Sequence, residues 1–135
     1  MVETLNADNS IKKETQLYGL IAEEATKERL FAELNKLLKP QAMMLPLNIR
    51  QDDFYFTIKG LKNAKVSGVY IALEYQEEVV EILDYKDDFV EVYQKCDFIL
   101  IKDGMLHGHF VQTNDINSTS ALAEKIYQNY IQKDI

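Results

Sequence analysis

The stretch "DFILIKDGMLHGHFV", residues 97–111, carries two apolar runs around the dipeptide Asp103-Gly104. That dipeptide favours a type I′ turn, in which both central residues take positive φ and the turn's twist matches that of the strands it joins. The stretch is read as a two-residue hairpin. It places one antiparallel pair in whatever sheet the chain builds.

The rest of the chain alternates between strand and helix signals. "QLYGLIA" (16–22) is a short apolar run read as a buried strand. A helix starting at Thr26 puts Leu30, Leu34, Leu37 and Leu38 on one face, and Pro40 stops it. "AMMLPLNI" (42–49) reads as a second strand, demoted toward a sheet edge by Pro46. Asp52 or Asp53 can cap a helix with Phe54, Ile58 and Leu61 inward, and Gly60 or Asn63 suits a left-handed end to it. "VSGVYIAL" (66–73) is apolar throughout, as expected of a strand covered on both faces. Two short helices follow, over 76–84 with Val79, Val80 and Leu83 inward, and over 87–95 with Phe89, Val92 and Tyr93 inward. After the hairpin, Ser118 or Thr119 caps a last helix with Leu122, Ile126 and Tyr130 as its stripe.

This order predicts an α/β fold. It is a single three-layer α/β/α domain with a mostly parallel, mixed sheet of about five strands, ending in the hairpin and a helix. The 135 residues suit one domain over 16–135, with residues 1–15 a polar, disordered tail and no nucleotide-binding domain. A net charge of −7 with no basic stripe argues against nucleic acid and anionic membrane surfaces as partners. No apolar run approaches the ~18 residues of a membrane span, and the start lacks a signal peptide's apolar core, so a cytoplasmic location is expected.

Several side chains could carry chemistry. Cys96 is the only cysteine, and as a nucleophile it would need His107 or His109 as its base. Those two histidines alternate along a strand and share a face, which could pair them on a metal; no Cys or acid stands in evident partner spacing, and exposure on a sheet face is the plainer reading. "EYQEEVVE" and "DYKDD" concentrate acid without the Asp, Asn and Gly offsets of a calcium loop, as a solvated helix face would. Tyr127 and Tyr130 on the last helix suit either an interface or the core.

The element order with its hairpin resembles the amino-terminal, substrate-binding domain of shikimate dehydrogenases. "LYGLIA" resembles the opening strand. "LNIRQDDFYFTIKGLKNAKVSGVYIALEYQEEV" resembles the family's strand, helix and Gly-led strand, where an Asn-Val-Thr-x-Pro-x-Lys run follows the Gly. "FILIKDGMLHGHF" resembles the stretch where an Ala-Val-Asn-Thr strand turns through Asp-Gly and returns to a Gly-x-Asn-Thr-Asp end. Spacing and apolar pattern carry the likeness; the polar residues depart from it. Counting from Gly68, Tyr70 stands for the family's Asn, Ala72 for Thr, Glu74 for Pro, and Gln76 for the Lys that serves in proton transfer. Asp97 stands for the substrate-binding Asn and Phe98 for the following Thr. Phe110, Val111 and Gln112 replace Asn, Thr and the catalytic Asp, unless an insertion brings Asp115 back to that place. "AEEATKER" replaces a serine pair that holds the substrate carboxylate.

The resemblance therefore implies a pocket built around Tyr70, Gln76, Asp97, Gln112 and Asp115, with no catalytic residue kept. A glutamine amide does not titrate in water and cannot serve as a base. Glu23, Glu24 and Glu74 would repel an anionic substrate. The five glycines make no G-x-G-x-x-G turn, so no cofactor is expected on this chain, and NADP enters only if a partner chain supplies the nucleotide domain. Three roles stay open. The first is a non-catalytic module binding a small molecule or a protein, and the second is the substrate half of a split dehydrogenase. The third is a homodimer formed through a sheet edge or the tyrosine-bearing last helix.

Overall fold

A computed structural model describes residues 15–38, 42–111 and 119–132. The expected tail over 1–15 lies, but for Thr15, outside them, as do Pro40 and Ser118. In chain order the elements are β1 (Gln16–Ala22), α1 (Arg29–Leu38), β2 (Ala42–Asn48), α2 (Phe54–Gly60), β3 (Gly68–Ile71), β4 (Tyr85–Lys86), α3 (Asp88–Tyr93), β5 (Phe98–Lys102), β6 (Met105–His109) and α4 (Thr119–Ile126). The strands form one sheet of order β2-β1-β3-β5-β6-β4. β1 is parallel to β2 and β3, β5 is antiparallel to β3 and β6, and β4 is parallel to β6. Five strands thus share one direction and β5 alone opposes them. The sheet has one strand more than expected and two antiparallel pairs rather than one.

Alternation along the strands separates two cores, one on each face of the sheet. Tyr18, Leu20, Ala22, Tyr70, Phe98 and Leu100 point to the face covered by α1 and α4, where Leu34, Leu38 and Ile126 are fully buried. Ile21, Val69, Ile71 and Ile99 point the other way, against Phe54 and Ile58 of α2 and against Val79, Val80 and Val90. All four residues of β3 are buried, as its apolar run requires. Pro46 lies in β2 at the sheet's edge, where its missing N–H breaks no ladder. The hairpin turns through Asp103 and Gly104 with φ of 55° and 72°, both positive as a type I′ turn demands.

Four local expectations change. The helix over 54–60 has no side-chain cap from Asp53, and it runs on through a 3-10 turn, Leu61–Asn63, with Gly60 still right-handed. Residues 76–84 form no α-helix. After a 3-10 turn at Leu73–Tyr75 they make a second, Glu78–Ile82, and Asp84 is drawn into the sheet: its N–H donates to the Leu106 carbonyl and its carboxylate accepts from the Leu106 N–H. On α3 the inward residue is Val90, and Phe89, Val92 and Tyr93 face outward. There the Asp87 carboxylate accepts from the Val90 N–H and fixes the helix's rotation. On the last helix, which continues as a π-helix over Tyr127–Ile131, Ala123 joins Ile126 and Ile131 as the buried set, while Leu122 and Tyr130 are half-buried. Among the described residues no helix is long and apolar enough to cross a membrane.

Candidate functional site

The crossover from β1 to β2 runs through α1 on one face of the sheet, and the return to β3 runs through α2 on the other. Neighbouring strands β1 and β3 thus part company at their carboxyl ends, which opens the crevice where open α/β sheets hold ligands. A cleft of about 490 Å³ lies there, lined by Glu23, Glu24, Glu28, Arg50 and Glu74. Each lining residue follows a strand end or its first turn. The Glu74 carboxylate reaches from the end of β3 to accept from the Glu23 N–H at 3.0 Å. Asn48 Oδ1 accepts from the Ala25 N–H at 2.7 Å and holds the turn beneath the cleft. Burial first, and then the Glu74 charge, push the Glu28 carboxyl above its ordinary range. This cleft repels carboxylates and, by charge, favours neutral or cationic groups.

Three of the pocket candidates from sequence also lie about the carboxyl end of β3, but beneath the surface. Tyr70 is buried between its cross-strand partners Leu20 and Phe98. Gln76 is 1% exposed. Its Nε2 donates to the Ile71 carbonyl at 3.0 Å, its main-chain carbonyl accepts from the Cys96 N–H, and its Oε1 has no hydrogen-bond partner among the described residues. Asp97 is fully buried; its Oδ1 accepts from the Val111 N–H at 2.7 Å, and its main chain pairs with Ile71 and His109. The structure brings these three residues together about the carboxyl end of β3, and none lines the open cleft. Gln112 and Asp115 lie outside the described residues.

Phe98 and Phe110, which replace polar residues of the family pattern, are both buried, Phe98 stacked on Tyr130 and Phe110 against Tyr93. Cys96 is buried too, with its thiol pushed upward by desolvation and by Asp97, the reverse of what a nucleophile needs. The two histidines are engaged separately. His107 stacks on Tyr85, whereas His109 Nδ1 lies 3.1 Å from Asp87 and its ring tilts against Tyr130. Burial pulls the His109 imidazole below its usual value, although Asp87 opposes the shift. Among the described residues no group of three or more His, Cys, Asp or Glu is placed to hold a metal.

Sequence reading missed three groups. Arg50 and Glu28 are set against the cleft only by the fold. Lys125 reaches from α4 to donate to the Val111 carbonyl at 2.8 Å, one residue's length from the N–H that Asp97 accepts. No local spacing marks it, since 14 residues separate it from Val111.

The geometry defines an α/β domain with faces covered on both sides and a polar crevice at its topological switch point. Comparison with known proteins narrows the class. No family model matches. The chain is 24% identical over 102 residues to the NADP(+) shikimate dehydrogenase of Aquifex aeolicus, a match covering 73% of this chain and 38% of that enzyme. It is 25% identical over 97 residues to the same enzyme of Clostridium beijerinckii, over 70% of this chain and 36% of the relative. Shikimate 5-dehydrogenase from Listeria monocytogenes, solved with shikimate and NAD, superposes with a TM-score of 0.67 at 18% identity, over 74% of this chain and 36% of that one. This chain is a shikimate dehydrogenase-like domain. It spans little more than a third of the length of the curated relatives it matches.

Proposed function

We propose that the domain is a non-catalytic relative of a shikimate dehydrogenase substrate-binding domain and works by binding, in the strand-end cleft, a small molecule or a protein segment. One observation carries the reading: the cleft is lined by four glutamates and one arginine, while the residue in the place of the family's lysine, Gln76, is a buried amide held to the Ile71 carbonyl. Removing hydride from a hydroxyl at neutral pH requires a group that takes the proton, and an amide does not. A sugar acid further requires donors or positive charge about its carboxylate. Glu23, Glu24, Glu28 and Glu74 outnumber Arg50 there. On this reading the chain needs no nicotinamide of its own. Purified protein incubated with shikimate and NADP should form no reduced cofactor above the protein-free rate; steady turnover abolished by Asp97→Ala would end the proposal.

A second reading makes the chain the substrate-binding half of a split shikimate dehydrogenase, completed by an NADP-binding chain. What supports it is the similarity to NADP-dependent enzymes over about a third of their length, with Lys125 held beside the residue that Asp97 contacts. It requires calorimetric shikimate binding that weakens in Gln76→Ala and Asp97→Ala, and turnover on adding the partner. Unchanged shikimate affinity in both folded variants removes it.

A further inference from the structure

We infer that Asn35 is an autoinhibitory contact: its side-chain amide occupies the place of a further strand along β2 and keeps that edge of the sheet from pairing with another chain. The inference is independent of what the cleft binds and holds under either functional reading.

β2 is the long open edge of the sheet. It runs seven residues, Ala42–Asn48, and among the described residues its strand neighbour is β1, on one side only. Its sequence, AMMLPLN, carries no charge; Met43 is 44% exposed, and Leu45 and Leu47 are half-buried. A long, uncharged, apolar edge is the kind that adds a strand from a neighbouring chain. The opposite edge, β4, is two residues long, Tyr85–Lys86, with Asp84 and Asp87 on either side in the chain. Shortness and charge guard that edge, and neither guards β2.

The Asn35 amide supplies the missing guard. The Met44 N–H donates to Asn35 Oδ1 at 2.9 Å, and Asn35 Nδ2 donates to the Met44 carbonyl at 3.3 Å. Both main-chain groups of one residue are thus engaged, as the residue of an opposing strand would engage them. Along a strand these groups point to alternate sides, so Ala42, Pro46 and Asn48 turn outward with Met44. The Ile49 N–H, of the other parity, bonds to Ala22 of β1 as that alternation requires. Pro46 has no N–H to offer. In the middle of the outward row one residue is occupied and the next lacks a donor. An incoming strand finds no two adjacent open positions unless the Asn35 side chain swings away. Asparagine is also a weaker helix former than the Glu, Leu and Lys around it in RLFAELNKLL. Its contribution is made across at the strand, not within α1.

Sedimentation equilibrium of the full chain from micromolar to millimolar concentration tests the inference. Asn35→Ala keeps a good helix former and frees both Met44 groups. It should lower the Kd for self-association by about tenfold or more, the effect of one or two added strand hydrogen bonds. Hydrogen exchange should then show protection gained over 42–48 as concentration rises, whereas in the wild type exchange there should not depend on concentration. Pro46→Val with Asn35 in place should leave association unchanged; added to Asn35→Ala, it restores a donor and should strengthen association further. Should Asn35→Ala fold poorly by circular dichroism, Asn35→Ser replaces it, its shorter side chain falling short of Met44. A folded variant that associates no more than the wild type overturns the inference. So does a wild type that gains protection over 42–48 on concentration, or Pro46→Val alone associating as strongly as the double variant.

Discussion

Two sets of carboxylates in this domain differ in what they hold. Over residues 84–97, each of three aspartates takes a main-chain N–H that would otherwise go unpaired: Asp84 from Leu106, Asp87 from Val90 and Asp97 from Val111. Between β1 and β3 four glutamates surround an open cleft, where Glu74 accepts the Glu23 N–H and its charge bears on Glu28. The first set ties separate segments of the fold together, and in the second the Glu28 carboxyl is pushed above its ordinary range by burial and by Glu74. Charge count alone does not separate Asp84 from Glu28; the donors from Leu106 and Lys62 to Asp84 do.

The comparison breaks most visibly at Asp97. Asp97→Ala leaves the buried Val111 N–H without its acceptor, and removes a carboxylate from the junction that joins β3, β5 and β6. Loss of such an acceptor should cost about 3 kcal/mol in urea denaturation at pH 7. Glu23→Ala at the cleft serves as the contrast and should stay within about 0.5 kcal/mol of the wild type. Equal effects would mean that Asp97 is not a structural acid.

Asp84 gives a smaller effect with a pH signature. The Leu106 N–H, and then the hydrogen bond from Lys62, hold its carboxyl below the ordinary 3.8. A depressed folded pKa contributes stability that is complete above the unfolded value and is lost as pH falls through the folded one. Asp84→Ala should therefore cost about 1 kcal/mol at pH 7, mainly for the unpaired Leu106 N–H. The gap to the wild type should narrow as pH falls below about 4. A gap constant from pH 7 to pH 2 would show that the carboxylate's charge plays no part.

Much of the fold could be read from local chemistry. Asp103-Gly104 has one good turn available, and the continuous apolar run through Gly68–Ile71 admits only a strand covered on both sides. Misreadings arose where a distant group overrode a local period. The stripe Phe89, Val92, Tyr93 has helical spacing, but spacing does not say which way a six-residue helix turns, and the Asp87 cap turned it outward. Residues 76–84 carry a helical pattern that loses to the pairing of Asp84 with Leu106, 22 residues on. The site was less legible than the fold. Glu23, Glu24 and Glu74 announce an acidic strand end, yet Arg50 and Glu28 join it only because β1, β2 and β3 end together, and Gln76 and Asp97 gave no sign that they would be sealed under it.

The smallest expected effect sharpens the comparison from the cleft side, because its sign is reversed. Burial and the Glu74 charge raise the Glu28 carboxyl above the ordinary 4.5. A raised folded pKa means that the folded state binds the proton more tightly than the unfolded chain. The resulting stability is full below the unfolded pKa and is lost as pH climbs through the folded one. Glu28→Gln keeps the shape and removes the charge, so it should leave stability unchanged near pH 4 and raise it at pH 7. The group is partly exposed and screened, which limits the gain to a few tenths of a kcal/mol. Adding Glu74→Gln should cancel part of that gain, since the two carboxylates repel each other. A loss of stability at pH 7 in Glu28→Gln would show instead that Glu28 takes a donor, and the cleft would then belong with the aspartates of the first set.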